Sequence, residues 1–238
     1  MLVLGCALLG VVVGGLLEAV VADVPAGARP SWRWRRAPLA DDEGVRFRNR
    51  RLILEVTTGV VFAALAWALG ATAALPAFLY LGAVGIALAA IDLEHHRLPN
   101  VLTLPSYLIG GALLALAVLI GAPGSTWDTY LRALLGMAAL FAFYFVLAMI
   151  YPAGMGFGDV KLAGVLGLYL GWLGWGPLVV GAFLGFLLGA LTGLALMVMR
   201  RMTRKSRIPF GPFMLLGALL AILFGDAIAD AYVGSLAT

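Results

Sequence analysis

From Leu162 to Met199 the chain carries no charged residue. At about 40 residues this run is twice the length that one bilayer-spanning helix needs. Gly171, Gly174, Gly176 and Pro177 interrupt it, beside Trp172 and Trp175, residues suited to a membrane interface. It therefore reads as two helices. The rest of the sequence is of the same kind. Apolar residues make up 63%, against roughly 45–50% in a globular domain. Charged residues make up 12%, and a mean hydropathy of +1.04 leaves too little polar surface to enclose a water-soluble core. A disordered chain and a nucleic-acid-binding domain are excluded, so no nucleic-acid partner is expected. The fold class is an all-α polytopic membrane protein.

Apolar segments at residues 2–22, 52–70, 75–91, 101–120, 130–150, 160–175, 177–199 and 210–230 predict about eight transmembrane helices. The charges support an even count. Arg29, Arg33, Arg35, Arg36, Arg46, Arg48, Arg50 and Arg51 fall between the first two spans, and Arg200, Arg201, Arg204, Lys205 and Arg207 between the last two. Arg97 and Lys161 follow spans three and five. With alternating crossings, fifteen of the sixteen basic residues share one side, and only Arg132 is opposite. The positive-inside bias makes that side cytoplasmic and puts both termini outside. The first span lacks the basic start of a cleaved signal peptide, so it is read as a membrane helix. Residues 1–51 are expected to form a first helix and a basic loop lying on anionic lipid headgroups. Residues 52–238 are expected to form a seven-helix membrane domain. Cys6 is the sole cysteine, so neither a disulfide framework nor a cysteine zinc site is expected.

Acidic residues number twelve, few enough to weigh singly. Asp92 follows the apolar run Leu81 to Ile91, and Asp159 closes Gly154-Met155-Gly156-Phe157-Gly158-Asp159. Both map to the cytoplasmic end of a span, where each alone could be a solvated helix-end residue. Ionisable groups at membrane depth are costly and mark functional sites. Two carboxyls held close do not both ionise easily, so one acts as base while its partner keeps a proton. Such a pair activates water against a carbonyl without a metal. Gly154, Gly156 and Gly158 remove side chains from the approach to Asp159. Lys161 and Arg97 stand near enough in sequence to tune the pair, or else they contact lipid headgroups. Glu94, His95 and His96 lack the His-Glu-x-x-His spacing of a metal helix and read as surface residues. Gly181, Gly185, Gly189 and Gly193 form a stripe that lets a second helix pack closely.

These strings resemble the prepilin peptidases, the type IV leader peptidases. Ile91-Asp92, five residues, then Leu98-Pro99-Asn100 is similar to their first signature. Gly156-Phe157-Gly158-Asp159-Val160-Lys161-Leu162 is similar to their Gly-x-Gly-Asp signature, and Ile208-Pro209-Phe210-Gly211-Pro212-Phe213 to the opening of their last helix. The resemblance implies an aspartic endopeptidase of the inner or plasma membrane. It would cut the basic leader from pilin-like precursors on the cytoplasmic side, after a glycine, with Asp92 and Asp159 as the catalytic pair and no cofactor for proteolysis. The first loop lacks the two Cys-x-x-Cys pairs of many bacterial members, and Glu18 and Asp23 stand where those typically have an Asn and a basic residue. Methylation of the new terminus with S-adenosylmethionine is therefore left open. The reading from another class is an ion-coupled secondary transporter, which would carry such carboxylates nearer the midplane on broken helices.

Overall fold

The computed structural model describes residues 1–25, 42–152, 155–199 and 209–236. These form eight helices: α1 (Leu2–Asp23), α2 (Asp42–Leu69), α3 (Leu75–His95), α4 (Asn100–Leu119), α5 (Trp127–Ile150), α6 (Phe157–Leu173), α7 (Trp175–Val198) and α8 (Gly211–Leu236). Six helices (α1 to α5 and α7) contain spans long and apolar enough to cross a bilayer, while α6 and the apolar stretch Gly211–Gly225 of α8 are shorter. The charge-free run breaks at Gly174, where the backbone is extended between α6 and α7. Most of the basic first loop and the cluster around Arg204 lie outside the described residues, as does Gly154.

Several boundaries differ from the sequence expectation: α5 and α6 each begin three residues earlier, and α8 runs to Leu236, beyond residue 230. α2 begins at Asp42, well before residue 52, its first turns carrying Asp42, Glu43, Arg46, Arg48, Arg50 and Arg51 ahead of the apolar run. On this face Arg51 pairs with Glu55 one turn on, at 2.8 Å, a spacing that favours helix. α3 continues through Asp92 to His95, so Asp92 belongs to its last turn. Asp92 O accepts from the His96 N–H at 2.8 Å, and His96 adopts the left-handed conformation with φ 54°.

α6 is the axis of the bundle. From Leu162 to Trp172 every residue is buried, the pattern of a helix apolar all round and sheathed by its neighbours. Glycines set how closely they approach. A Cβ on Gly136 of α5 would lie 2.7 Å from the Gly167 carbonyl oxygen of α6, and one on Gly217 of α8 would lie 2.5 Å from the Gly185 nitrogen of α7. Gly10 and Gly14 play the same part for α1, against Leu54 to Gly59 of α2. Lipid tails offer no solvent-driven force between helices, so such backbone-to-backbone packing is what holds a membrane bundle together. The predicted stripe packs in this way at Gly181 and Gly185, while Gly189 receives Phe210. Cys6 is a packing residue among Phe62, Ala66 and Leu75.

Charged side chains support this frame at two places. Arg132 donates from Nε to Gly171 O at 2.9 Å and from Nη2 to Trp172 O at 2.7 Å, capping the C-terminus of α6. The free carbonyls there carry the negative end of the helix dipole, which favours a cation. Glu18, 2% exposed, accepts from Arg50 Nη2 at 2.5 Å, and Arg50 Nη1 lies 3.6 Å from Glu94 Oε2. Arg50 thus ties α1, α2 and the last turn of α3 together.

Candidate active site

Reversals of the chain at α3–α4 and ahead of α6 and α8 bring several helix ends to one end of the bundle. Between them opens a cavity of about 730 Å³. It is lined by Val24 and Pro25 beyond α1, by Ile91 to Asn100 (Leu93 and Glu94 excepted), and by Gly156, Gly158 and Asp159. Asp92 and Asp159 both line it. They lie 67 positions apart in sequence, on α3 and α6.

Each carboxyl is oriented by the start of a helix. Asp159 is the third residue of α6, and its Oδ2 accepts from the Gly156 N–H at 3.1 Å. This is the return half of a capping box; glycine has no side chain to supply the other half. Asp92 is held from across the bundle: its Oδ2 accepts from the Gly211 N–H, the first residue of α8, at 3.1 Å. Helix starts present amides without intrahelical partners, which makes both natural donors to a carboxylate. α8 is itself fixed there by Phe210, whose ring packs at a tilt with its centroid 5.2 Å from that of Phe186 of α7 and 6.3 Å from that of Tyr144 of α5. Asp92 is 5% exposed, so its remaining open face is the cavity.

Arg97, His95 and His96 also line the cavity, all exposed. Lys161 is turned elsewhere. Its Nζ donates to Asn100 Oδ1 at 2.8 Å and lies 4.8 Å over the Phe157 ring. Gly156 and Gly158 stand on the wall beside Asp159; a Cβ on Gly156 would lie 3.3 Å from Asp159 Oδ2, whereas one on Gly158 would meet Leu98 and not the approach. Among the described residues no three His, Cys, Asp or Glu side chains gather as a metal cluster would. Sequence reading missed Gly211. The signal was present in Pro209-Phe210-Gly211-Pro212, but a backbone donor leaves no mark of its chemistry in a sequence.

Residues 79–198, which include both aspartates, match the model of the type IV leader peptidase family. The chain belongs to that family. It is similar to the prepilin leader peptidase/N-methyltransferase of Aeromonas hydrophila, with 34% identity over 204 residues, 85% of this chain and 68% of the relative. The enzyme of the same description from Bacillus subtilis is 34% identical over 183 residues, 75% of this chain and 68% of its own length. That from Pseudomonas aeruginosa is 31% identical over 186 residues, 78% of this chain and 62% of the relative. No solved structure matches the chain. As a family member with this helical build, the protein is a multi-pass membrane peptidase.

Proposed function

We propose that this protein removes the basic leader from type IV prepilin-like precursors, cutting after a glycine at a site that opens to the cytoplasm. One observation carries the reading: two carboxyls from different helices face one cavity, each oriented by a backbone amide at a helix start. A water between them would lose its proton to the ionised carboxylate while attacking the scissile carbonyl. The protonated partner would hydrogen-bond the carbonyl oxygen and then pass its proton to the leaving amine. Proteolysis by this route takes no metal and no cofactor. Gly156 would leave room beside Asp159 for an extended substrate backbone. The basic loops would rest on anionic lipid headgroups and keep the cavity mouth at the membrane surface. Prepilin processing follows the names of the relatives.

The test is to incubate the detergent-solubilised protein with a pilin precursor and measure its mass. The reading expects loss of a mass equal to the leader, with the new terminus just after the glycine. An unchanged precursor, with proton or cation flux through reconstituted vesicles, would favour the transporter reading. A further methyl group on the product would extend the activity to the second half of the relatives' names.

A further inference from the structure

Two glycines beside the aspartates share one neighbour. A Cβ on Gly158, which precedes Asp159, would lie 3.0 Å from Leu98 Cβ and 3.5 Å from Leu98 Cδ1. A Cβ on Gly211, whose amide holds Asp92, would lie 3.3 Å from Leu98 Cδ2. One branched side chain therefore fills the space that both glycines leave empty, a methyl toward each. From the geometry we infer that Leu98 is a positioning residue: a spacer between the first turns of α6 and α8 that sets the separation of the two carboxyls. The inference rests on the acid–base reading of Asp92 and Asp159.

The segment carrying Leu98 is built to stay in place. Leu98 precedes Pro99, and a residue before proline is confined to extended conformations. Pro99 itself is extended, with φ −68° and ψ 131°, and caps α4. One residue on, Asn100 Oδ1 accepts from Lys161 Nζ at 2.8 Å. About two turns further along α4, the Tyr107 hydroxyl donates to Lys161 O at 2.6 Å. Gly164 makes room for that tyrosine, since a Cβ there would overlap its hydroxyl. The start of α4 is thus latched to the start of α6 at two points, with Leu98 pressed against Gly158 beside them. Leu98 is half-buried against the main core, so its position is set by packing as well as by the latch.

Two reacting groups need their separation held closely, since a misplacement of about 1 Å can cost about 10²-fold in rate. Truncating Leu98 removes the spacer without touching either carboxyl. The test measures kcat and KM for a pilin precursor with wild type, Leu98→Ala and Leu98→Met, alongside Asp92→Asn and Asp159→Asn. The expected result for Leu98→Ala is a kcat lower by about 10- to 100-fold with KM within about twofold, because the substrate is bound but the pair is misplaced. Leu98→Met conserves volume and should return kcat to within about threefold of wild type. If Leu98→Ala does not accumulate in the membrane, Leu98→Val takes its place, with a loss of kcat in the same sense. Wild-type kcat in the truncated variant overturns the inference. So does a loss carried by KM, which would make Leu98 a substrate contact, or a Leu98→Met enzyme as slow as Leu98→Ala. If Asp92→Asn or Asp159→Asn cleaves normally, the acid–base reading fails first. If both are inactive and Leu98→Ala is not impaired, only the spacer fails.

Discussion

Gly211→Ala is a single methyl added at the first residue of α8, and by helix propensity alone it should be harmless or better. Gly211 does not occupy the left-handed region that glycine alone favours, and alanine is worth up to about 1 kcal/mol over glycine inside a helix. The obstacle is Asp92. The new Cβ would lie 2.8 Å from Asp92 Oδ2 and 3.4 Å from its Cγ. Restoring an ordinary contact of about 3.4 Å moves that oxygen by about 0.6 Å. The Gly211–Asp92 hydrogen bond, at 3.1 Å, already lies near the long end of the range for N–H···O bonds, so the same movement breaks it. A carboxyl displaced by this much, with its orienting donor gone, should lose about 10²-fold in turnover, equivalent to about 2.7 kcal/mol of barrier. The assay is precursor cleavage at saturating substrate, beside thermal unfolding of the same preparation. The expected result is a collapsed kcat in a protein that unfolds at or near the wild-type temperature. Wild-type kcat in Gly211→Ala would refute the role assigned to the α8 amide.

Other perturbations separate packing, charge and orientation. Gly136→Ala places a Cβ 2.7 Å from the Gly167 carbonyl oxygen and must part α5 from α6. A loss of about 1–3 kcal/mol is expected, read as earlier thermal unfolding in detergent. Arg50→Ala leaves buried Glu18 without its 2.5 Å partner. Its cost should fall between the about 1 kcal/mol of an exposed pair and the about 3–5 kcal/mol of a buried one, since Arg50 is 30% exposed. Arg50→Ala with Glu18→Gln should unfold later than Arg50→Ala alone. In a Cys6→Ala background, His96→Cys should resist a membrane-impermeant thiol reagent in intact cells and react after permeabilisation, because fifteen of the sixteen basic residues accumulate on that side.

Much of the helix layout is legible in the sequence, because bilayer thickness fixes helix length. The split at Gly174 could be placed for the same reason. Asp92 and Asp159 stood out because carboxylates are scarce in so apolar a chain. What the sequence hid was how the carboxyls are held. Gly211 acts through its backbone amide, across 119 positions, and Leu98 acts through shape. Arg132 reads as a lone charge on the wrong side until α6 ends against it. Glu18 and Arg50 are 32 positions apart, and only the close crossing of α1 and α2 brings them together. Nor does a 17-residue helix reveal that it is the axis of the bundle; its burial comes from α4, α5, α7 and α8 packed around it, not from its own length.

The central claim is the division of labour between Asp92 and Asp159, and isosteric neutralisation tests it most directly. Asp92→Asn and Asp159→Asn keep the shape of each side chain but can neither accept water's proton nor donate one at neutral pH. General acid–base steps are worth typically 10²–10⁴-fold each, and residues acting as a unit do not contribute additively. Precursor cleavage by the two single variants and the double variant should therefore fall to the same residual rate, in proteins that remain inserted, with His95→Ala, His96→Ala and added chelator leaving cleavage largely intact. Robust cleavage by either single aspartate variant, or a chelator-sensitive enzyme that requires His95 or His96, would contradict the account.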